Sequence, residues 1–129
     1  MKSYPFTLIG VDAEEAQKCM DKNNQTTCFI NRNTLLIDLG EERTITSFHY
    51  LPDQSEYNKG VIAAYEISVG TDSNAVNQLV AKDEFSNIKS NPILQSVYFT
   101  PVNARYVQLK ATRMIHDGEP MGLAEIGIQ

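Results

Sequence analysis

Apolar positions along this chain recur mostly at every second residue. In "TLLIDLG", Leu35, Ile37 and Leu39 share one face before Gly40 ends the run, and in "TSFHYLP", Phe48 and Tyr50 are aligned before Pro52. "AAYEISVG" aligns Tyr65, Ile67 and Val69, and "SVYFTP" aligns Val97 and Phe99. "ARYVQLKAT" places Val107, Leu109 and Ala111 together, and "GLAEIGIQ" does so with Ala124, Ile126 and Ile128. Successive side chains on a strand point to opposite faces, so each run predicts a half-buried strand. Gly, Pro, Asn or Asp bound the runs, at spacings that predict a sandwich rather than βαβ units. One short helix is expected around "DAEEAQKCM", with Asp12 as N-cap and Glu15 three residues later. The pattern is that of a single all-β domain over residues 1–129, without repeats or an interior linker.

Phase along the strands adds two expectations. Arg105 is in register with Val107 and Leu109, so it starts inward and needs a partner. Asp38, on a strand of its own, is the candidate for a bidentate pair joining two strands. His49, between Phe48 and Tyr50, is expected to face away from the core as a solvated mid-strand residue.

A chain of 129 residues can bury roughly 68% of its unfolded surface as one domain. A net charge of −5 argues against nucleic acid and anionic lipid as general partners, since both require a basic face. Apolar runs such as Leu35–Ile37 are far too short to span a bilayer. Met1-Lys2-Ser3 leads directly into strand-like sequence with no apolar leader, and the domain is expected to be part of a longer chain. Cys19 and Cys28, nine positions apart, have no His or Cys partners at zinc spacing. Two buried thiols are the preferred reading, with a disulfide across the loop as the alternative. No serine has a nucleophile-elbow context, and neither a Gly-rich phosphate loop nor an HExxH motif is present. The domain is expected to be a binder and not an enzyme.

Residues 18–26 carry Asp21, Asn23, Asn24 and Thr26 in one short run. Such a run is either an Asx-type turn or a cage for a hard cation. An EF-hand is excluded, because the sixth and twelfth positions from Asp21 are Thr26 and Arg32 instead of Gly and Glu.

Taken in order, "CMDKNNQTTC", "LLIDLGEERTITSFHYLPDQ", "GVIAAYEISVG", "ARYVQLKA" and the terminal "AEI" resemble the discoidin, or coagulation factor 5/8 type C, domain. The resemblance runs from about Phe6 to Gln129 and is strongest to family 32 carbohydrate-binding modules appended to bacterial hexosaminidases, chitobiases and α-fucosidases. It implies an eight-stranded antiparallel jelly-roll β-sandwich of the galactose-binding type. It also implies a structural Ca²⁺ held by the Lys18 carbonyl, the Asp21 carboxylate, the Asn23 carbonyl and both oxygens of Thr26. The Ala124 carbonyl and the Glu125 carboxylate would complete this set from the last strand. Glu125 alternates out of phase with Ala124, Ile126 and Ile128, which leaves its side chain free to face that loop. Lys22 departs from the glycine usual after the Asp, and Cys28 stands where a tryptophan is common. Asn24-Gln25-Thr26 is also a formal glycosylation sequon, which is discounted inside a metal loop.

By the same resemblance, sugars are bound on loops at one end of the sandwich. "PDQSEYNKG" would supply Asp53, Gln54, Tyr57, Asn58 and Lys59. "NRN" would supply Asn31, Arg32 and Asn33, and "MIHDGEPM" would supply His116 and Met121. Asp53 replaces an Arg frequent in galactose binders, Met121 replaces a stacking aromatic, and the chain has no Trp. Tyr57 is therefore the expected stacking ring. The implied function is a non-catalytic module that carries a secreted, periplasmic or cell-surface bacterial glycoside hydrolase to galactose-, N-acetylhexosamine- or fucose-type terminal sugars. The module is expected to be monomeric and covalently linked to a catalytic domain. Two alternatives stay open, a discoidin-like adhesion domain and a spacer that has lost its ligand.

Overall fold

The computed structural model describes residues 2–86, 88–89 and 91–129. In chain order the elements are β1 (Thr7–Ile9), α1 (Ala13–Gln17), β2 (Cys28–Ile30), β3 (Thr34–Leu51), β4 (Ile62–Gly70), β5 (Gln78–Glu84), β6 (Gln95–Met114), β7 (Met121–Leu123) and β8 (Glu125–Ile128). The two-residue period is clearest in β4, where Tyr65, Ile67 and Val69 are buried and Ala64, Glu66 and Ser68 half-buried. The strands form an antiparallel sheet in the order β1-β3-β6-β4-β5, with β8 added to β3, and a separate β2–β7 pair.

The two runs around Gly40 are one bent strand, as are the two around Pro101. β3 pairs with β6 in three registers: residues 34–38 on 106–110, 43–45 on 102–104, and 47–50 on 95–98. Gly40 therefore marks a bulge and not a strand end. It adopts φ 82°, and its N–H donates to Asp38 Oδ1 at 2.7 Å. Pro101 falls at the second register shift, where its missing N–H costs the ladder nothing. These bends fold the sheet over on itself and make the two layers of a sandwich. Tyr50 from the second half of β3 meets Phe85 at 5.1 Å between ring centroids, and Phe85 stacks on Tyr65 of β4 at 4.4 Å. Around these rings lie Leu35, Ile37, Ile45, Phe48, Ile62, Ile67, Leu109, Leu123 and Ile128, all buried. Tyr50 buries its hydroxyl with two partners, donating to Gly122 O and accepting from Ile62 N. These two bonds satisfy a phenolic O–H that would otherwise be costly inside a core.

Arg105 meets the expectation of a partner. Its Nε donates to Asp38 Oδ1 at 2.9 Å and its Nη2 to Oδ2 at 3.2 Å, holding the Asp38 carboxyl below its usual pKa. The pair is only half-buried, because it sits beside the Gly40 bulge and not in the core. Cys19 and Cys28 are buried free thiols. Asp12 caps α1 by accepting from Glu14 N at 3.2 Å, but Glu15 does not complete a capping box. Its Oε2 accepts instead from Phe29 N at 2.8 Å, tying the helix to β2.

His49 departs from expectation. It does lie on the face opposite Phe48 and Tyr50, yet it is only 4% exposed. Its ring nitrogens lie 2.9 Å from Ser47 Oγ and 2.8 Å from Ser96 Oγ, and the Tyr98 ring stands edge-on to it at 6.1 Å. On this outer face the ring is flanked by the Ser96 and Tyr98 side chains of the adjoining β6.

Candidate functional site

The loop after β3 is organised from within by Asp53. Its carboxylate accepts from Thr27 Oγ1 at 2.8 Å, Ser55 Oγ at 2.6 Å, Ser55 N at 3.2 Å and Lys59 N at 2.9 Å. Burial pushes its pKa up, but the hydrogen bonds from Ser55, Lys59 and Thr27 outweigh this and hold it below the ordinary carboxylate value. With 4% exposure and both oxygens occupied, Asp53 shapes the loop and is withdrawn from the ligand-contacting set. Gln54 spends its amide on the carbonyls of Pro52 and Pro92, both at 2.8 Å. Asn58 donates to Asp53 O at 2.6 Å while holding φ 42°, a left-handed turn that Asn tolerates better than most residues.

The loop so formed docks on the segment entering β7. Gly122 N donates to Gly60 O at 2.9 Å, and a Cβ on either glycine would run into backbone, that of Pro120 and Gly122 in one case and of Lys59 in the other. Glu119 Oε1 accepts from Gly60 N at 3.2 Å and closes the junction. Met121 follows immediately, but its register on Ile30 turns it inward to 1% exposure, so it cannot stack on a ligand.

The bare backbone of Gly122 is what accommodates Phe29. The two are directly paired across β2 and β7, and Phe29 Cε1 would lie 2.9 Å from a Cβ on Gly122. The ring thus lies over glycine backbone and remains 37% exposed. It is the aromatic that the sequence reading missed. In "CFI", Cys28 and Ile30 point inward, so the period-two rule alone turns Phe29 outward.

Phe29 contributes to the lining of two concavities. One, of about 420 Å³, is lined by Phe29, Lys59, Gly118, Glu119 and Pro120. The other, of about 580 Å³, lies on the side of Gly10–Asp12 and includes Asn31 and Arg32. Of the expected ligand residues, Lys59 joins the first, and Asn31 and Arg32 join the second. Tyr57, 73% exposed, and His116 stand in solvent and line neither, and Asn33 contributes its backbone carbonyl to Ala111 N.

At residues 18–26, three oxygens converge on one hydroxyl. Thr26 Oγ1 lies 2.7 Å from Asp21 Oδ2, 2.9 Å from Asn23 O and 3.2 Å from Lys18 O. The hydroxyl has one hydrogen to give, so lone pairs face lone pairs in the remaining contacts. That donor chemistry fits a hard cation. Asp21 Oδ1 and Asn23 Oδ1 accept from the backbone N–H groups of Asn23 and Gln25 and hold the loop's shape. Glu125, half-buried on β8, lines a groove together with Met20 and Lys22 of this loop, and Ala124 N is tied to Leu51 O at 2.9 Å.

The F5/8 type C domain family matches residues 11–126. The chain belongs to this family. Solved structures with the same fold include CpGH89CBM32-5 from Clostridium perfringens, in complex with GalNAc-β-1,3-galactose. It is 22% identical, with a TM-score of 0.75 and coverage of 96% of this chain and 91% of that one. The family 32 module of C. perfringens NanJ, in complex with galactose, is 23% identical, with a TM-score of 0.74 and coverage of 96% and 91%. A glycoside hydrolase family 29 member from an unknown rumen bacterium is 31% identical, with a TM-score of 0.73. That match covers 94% of this chain but only 21% of the hydrolase. No curated protein matches the chain. The fold is thus the jelly-roll sandwich of family 32 carbohydrate-binding modules.

Proposed function

We propose that this F5/8 type C domain is a non-catalytic carbohydrate-binding module that holds a terminal sugar of a glycan in the cavity beside Phe29. The observation that carries the reading is an exposed aromatic ring held over glycine backbone, with Lys59 and Glu119 beside it. A pyranose has one apolar face and a rim of hydroxyls, so a ring and flanking polar groups are the two complementary surfaces it needs. Phe29 takes the stacking role in place of Tyr57. Galactose-, N-acetylhexosamine- and fucose-type sugars are the ligand class, in keeping with the sugars in the Clostridium complexes. The module would serve a glycoside hydrolase that is secreted, periplasmic or held at the bacterial surface. About four-fifths of the family 29 hydrolase lies outside the match, which supports covalent linkage to a catalytic domain.

Calcium is proposed for the 18–26 loop, held by Lys18 O, Asp21, Asn23 O and Thr26 with Ala124 O and Glu125. When bound, it supplies a structural link between the first loop and the last strand. The sugar reading is tested by titrating the protein with galactose, N-acetylgalactosamine and fucose while following backbone amide shifts. Shifts at Phe29, Lys59 and Gly118 that Phe29→Ala abolishes are expected, with a folded spectrum retained. Silence across the panel at tens of millimolar would instead favour the spacer alternative.

A further inference from the structure

The cavity that Phe29 shares with Gly10–Asp12, Asn31 and Arg32 is not used by a single sugar seated beside Lys59. It is the larger of the two and falls within the roughly 300–1,000 Å³ common for small-ligand sites. Its polar groups are incompletely spent. Asp12 commits Oδ2 to Glu14 N, and among the described residues Oδ1 has no hydrogen-bond partner. Arg32 donates through Nη2 to Gly10 O, which leaves other guanidinium donors free. Among the described residues, the Asn31 amide has no hydrogen-bond partner, so it offers both a donor and an acceptor. Glu15 is different, since both of its oxygens are engaged, by Phe29 N and by Lys18 Nζ.

We infer that this cavity is a second sugar subsite, so that the ligand is a glycan of at least two units straddling the Phe29 ring. The inference rests on the sugar-binding reading above. Continuity argues for it, because Phe29 lines both cavities and adjoining pyranoses would contact one ring from either side. Charge selects the unit. Asp12 and Arg32 oppose each other, and Glu15 is paired with Lys18 at 3.3 Å, which leaves no net charge to reward a uronic or sialic acid. Asp12, Asn31 and Arg32 together offer acceptors and donors, and hydroxyls, which do both, match that mixture. The second unit is therefore a neutral hexose or N-acetylhexosamine.

The test compares N-acetylgalactosamine and galactose with GalNAc-β-1,3-galactose, lactose and N,N′-diacetylchitobiose, by calorimetry and amide shifts on the full chain. At least one disaccharide is expected to bind about tenfold tighter than its units and to shift Gly10, Val11 and Arg32 as well as Lys59 and Gly118. Arg32→Ala and, separately, Asn31→Ala should erase most of that gain, read as the ratio of disaccharide to monosaccharide affinity. Among the described residues the Asn31 side chain makes no hydrogen bond, so its variant reports even if loss of the Arg32–Gly10 contact loosens the loop. Disaccharides that bind no tighter than monosaccharides, with shifts confined to the Lys59 side, would overturn the second subsite and leave the single-sugar reading standing. If no sugar shifts Phe29 or Gly122, both readings fall together.

Discussion

Lys22, the residue after Asp21, holds φ 60°, the left-handed region that favours glycine. An L-residue there costs about 1–2 kcal/mol, part of which glycine returns through its greater unfolded-state freedom. Lys22→Gly is therefore expected to stabilise the fold by about 0.5 kcal/mol, which raises the melting temperature by about 2 °C. A calorimetric midpoint that stays put or falls would show that the strain is relieved elsewhere. Asp53 presents the opposite case. Asp53→Ala strips the acceptor from the N–H groups of Ser55 and Lys59 and from Thr27 Oγ1. Leaving such donors unpaired should cost about 3 kcal/mol in denaturant unfolding. A loss below about 1 kcal/mol would mean that water replaces the carboxylate. The sequence showed Asp53 in a turn-rich loop but not its burial, because a loop's closure over its own residue leaves no periodic trace. Met121 was misread for a related reason. Three-residue β7 is too short to display a phase, and its facing is set only by pairing with β2.

Longer elements were more legible. The inward residues of β4 follow the alternation of the sequence directly, as do Leu35 and Ile37 of β3 and Val107 and Leu109 of β6. The breaks within β3 and β6 were not, since Gly40 and Pro101 signal a strand end and a bulge alike. The 18–26 loop was read from its oxygen-bearing residues, and the structure brings Lys18 O, Asp21 and Asn23 O to one hydroxyl. If this loop and β8 share a calcium ion, the ion binds the folded chain alone. At a hundred times its dissociation constant it adds about 2.7 kcal/mol. Chelation should then lower the melting temperature by several degrees, and Glu125→Ala should reproduce that loss with or without added calcium. Equal midpoints in chelator and in millimolar calcium would count against the site, and the loop would stand as a set of Asx turns.

At the scale of the whole molecule, a sandwich covered on both faces at β3 and β8 must bury polar residues as well as apolar ones. Among the described residues, His49 and Asp53 are the buried histidine and the buried carboxylate, both close to the end of β3. Burial pushes the His49 imidazole below its ordinary pKa, and the lost hydration outweighs a hydrogen bond with Gln129 that favours the charged ring. A depressed pKa means that the unfolded chain binds the proton more readily. The stability His49 contributes is therefore present above the unfolded value of about 6.5 and is lost as pH falls through the folded one. Asp53, depressed by its hydrogen bonds despite burial, and Asp38, depressed by Arg105, obey the same sign further down. Their contributions hold above about 3.9 and are lost below it. The melting temperature should thus be level from pH 7 to 8, decline below about 6.5, and decline again below about 4. His49→Gln keeps a neutral polar side chain in place and should remove the first decline while leaving the second. Calorimetry of both proteins from pH 3 to 8 checks this. A wild-type midpoint unchanged between pH 7 and 5 would mean that the imidazole takes up its proton in the folded state without cost, which is incompatible with a ring enclosed between Ser47, Ser96 and Tyr98.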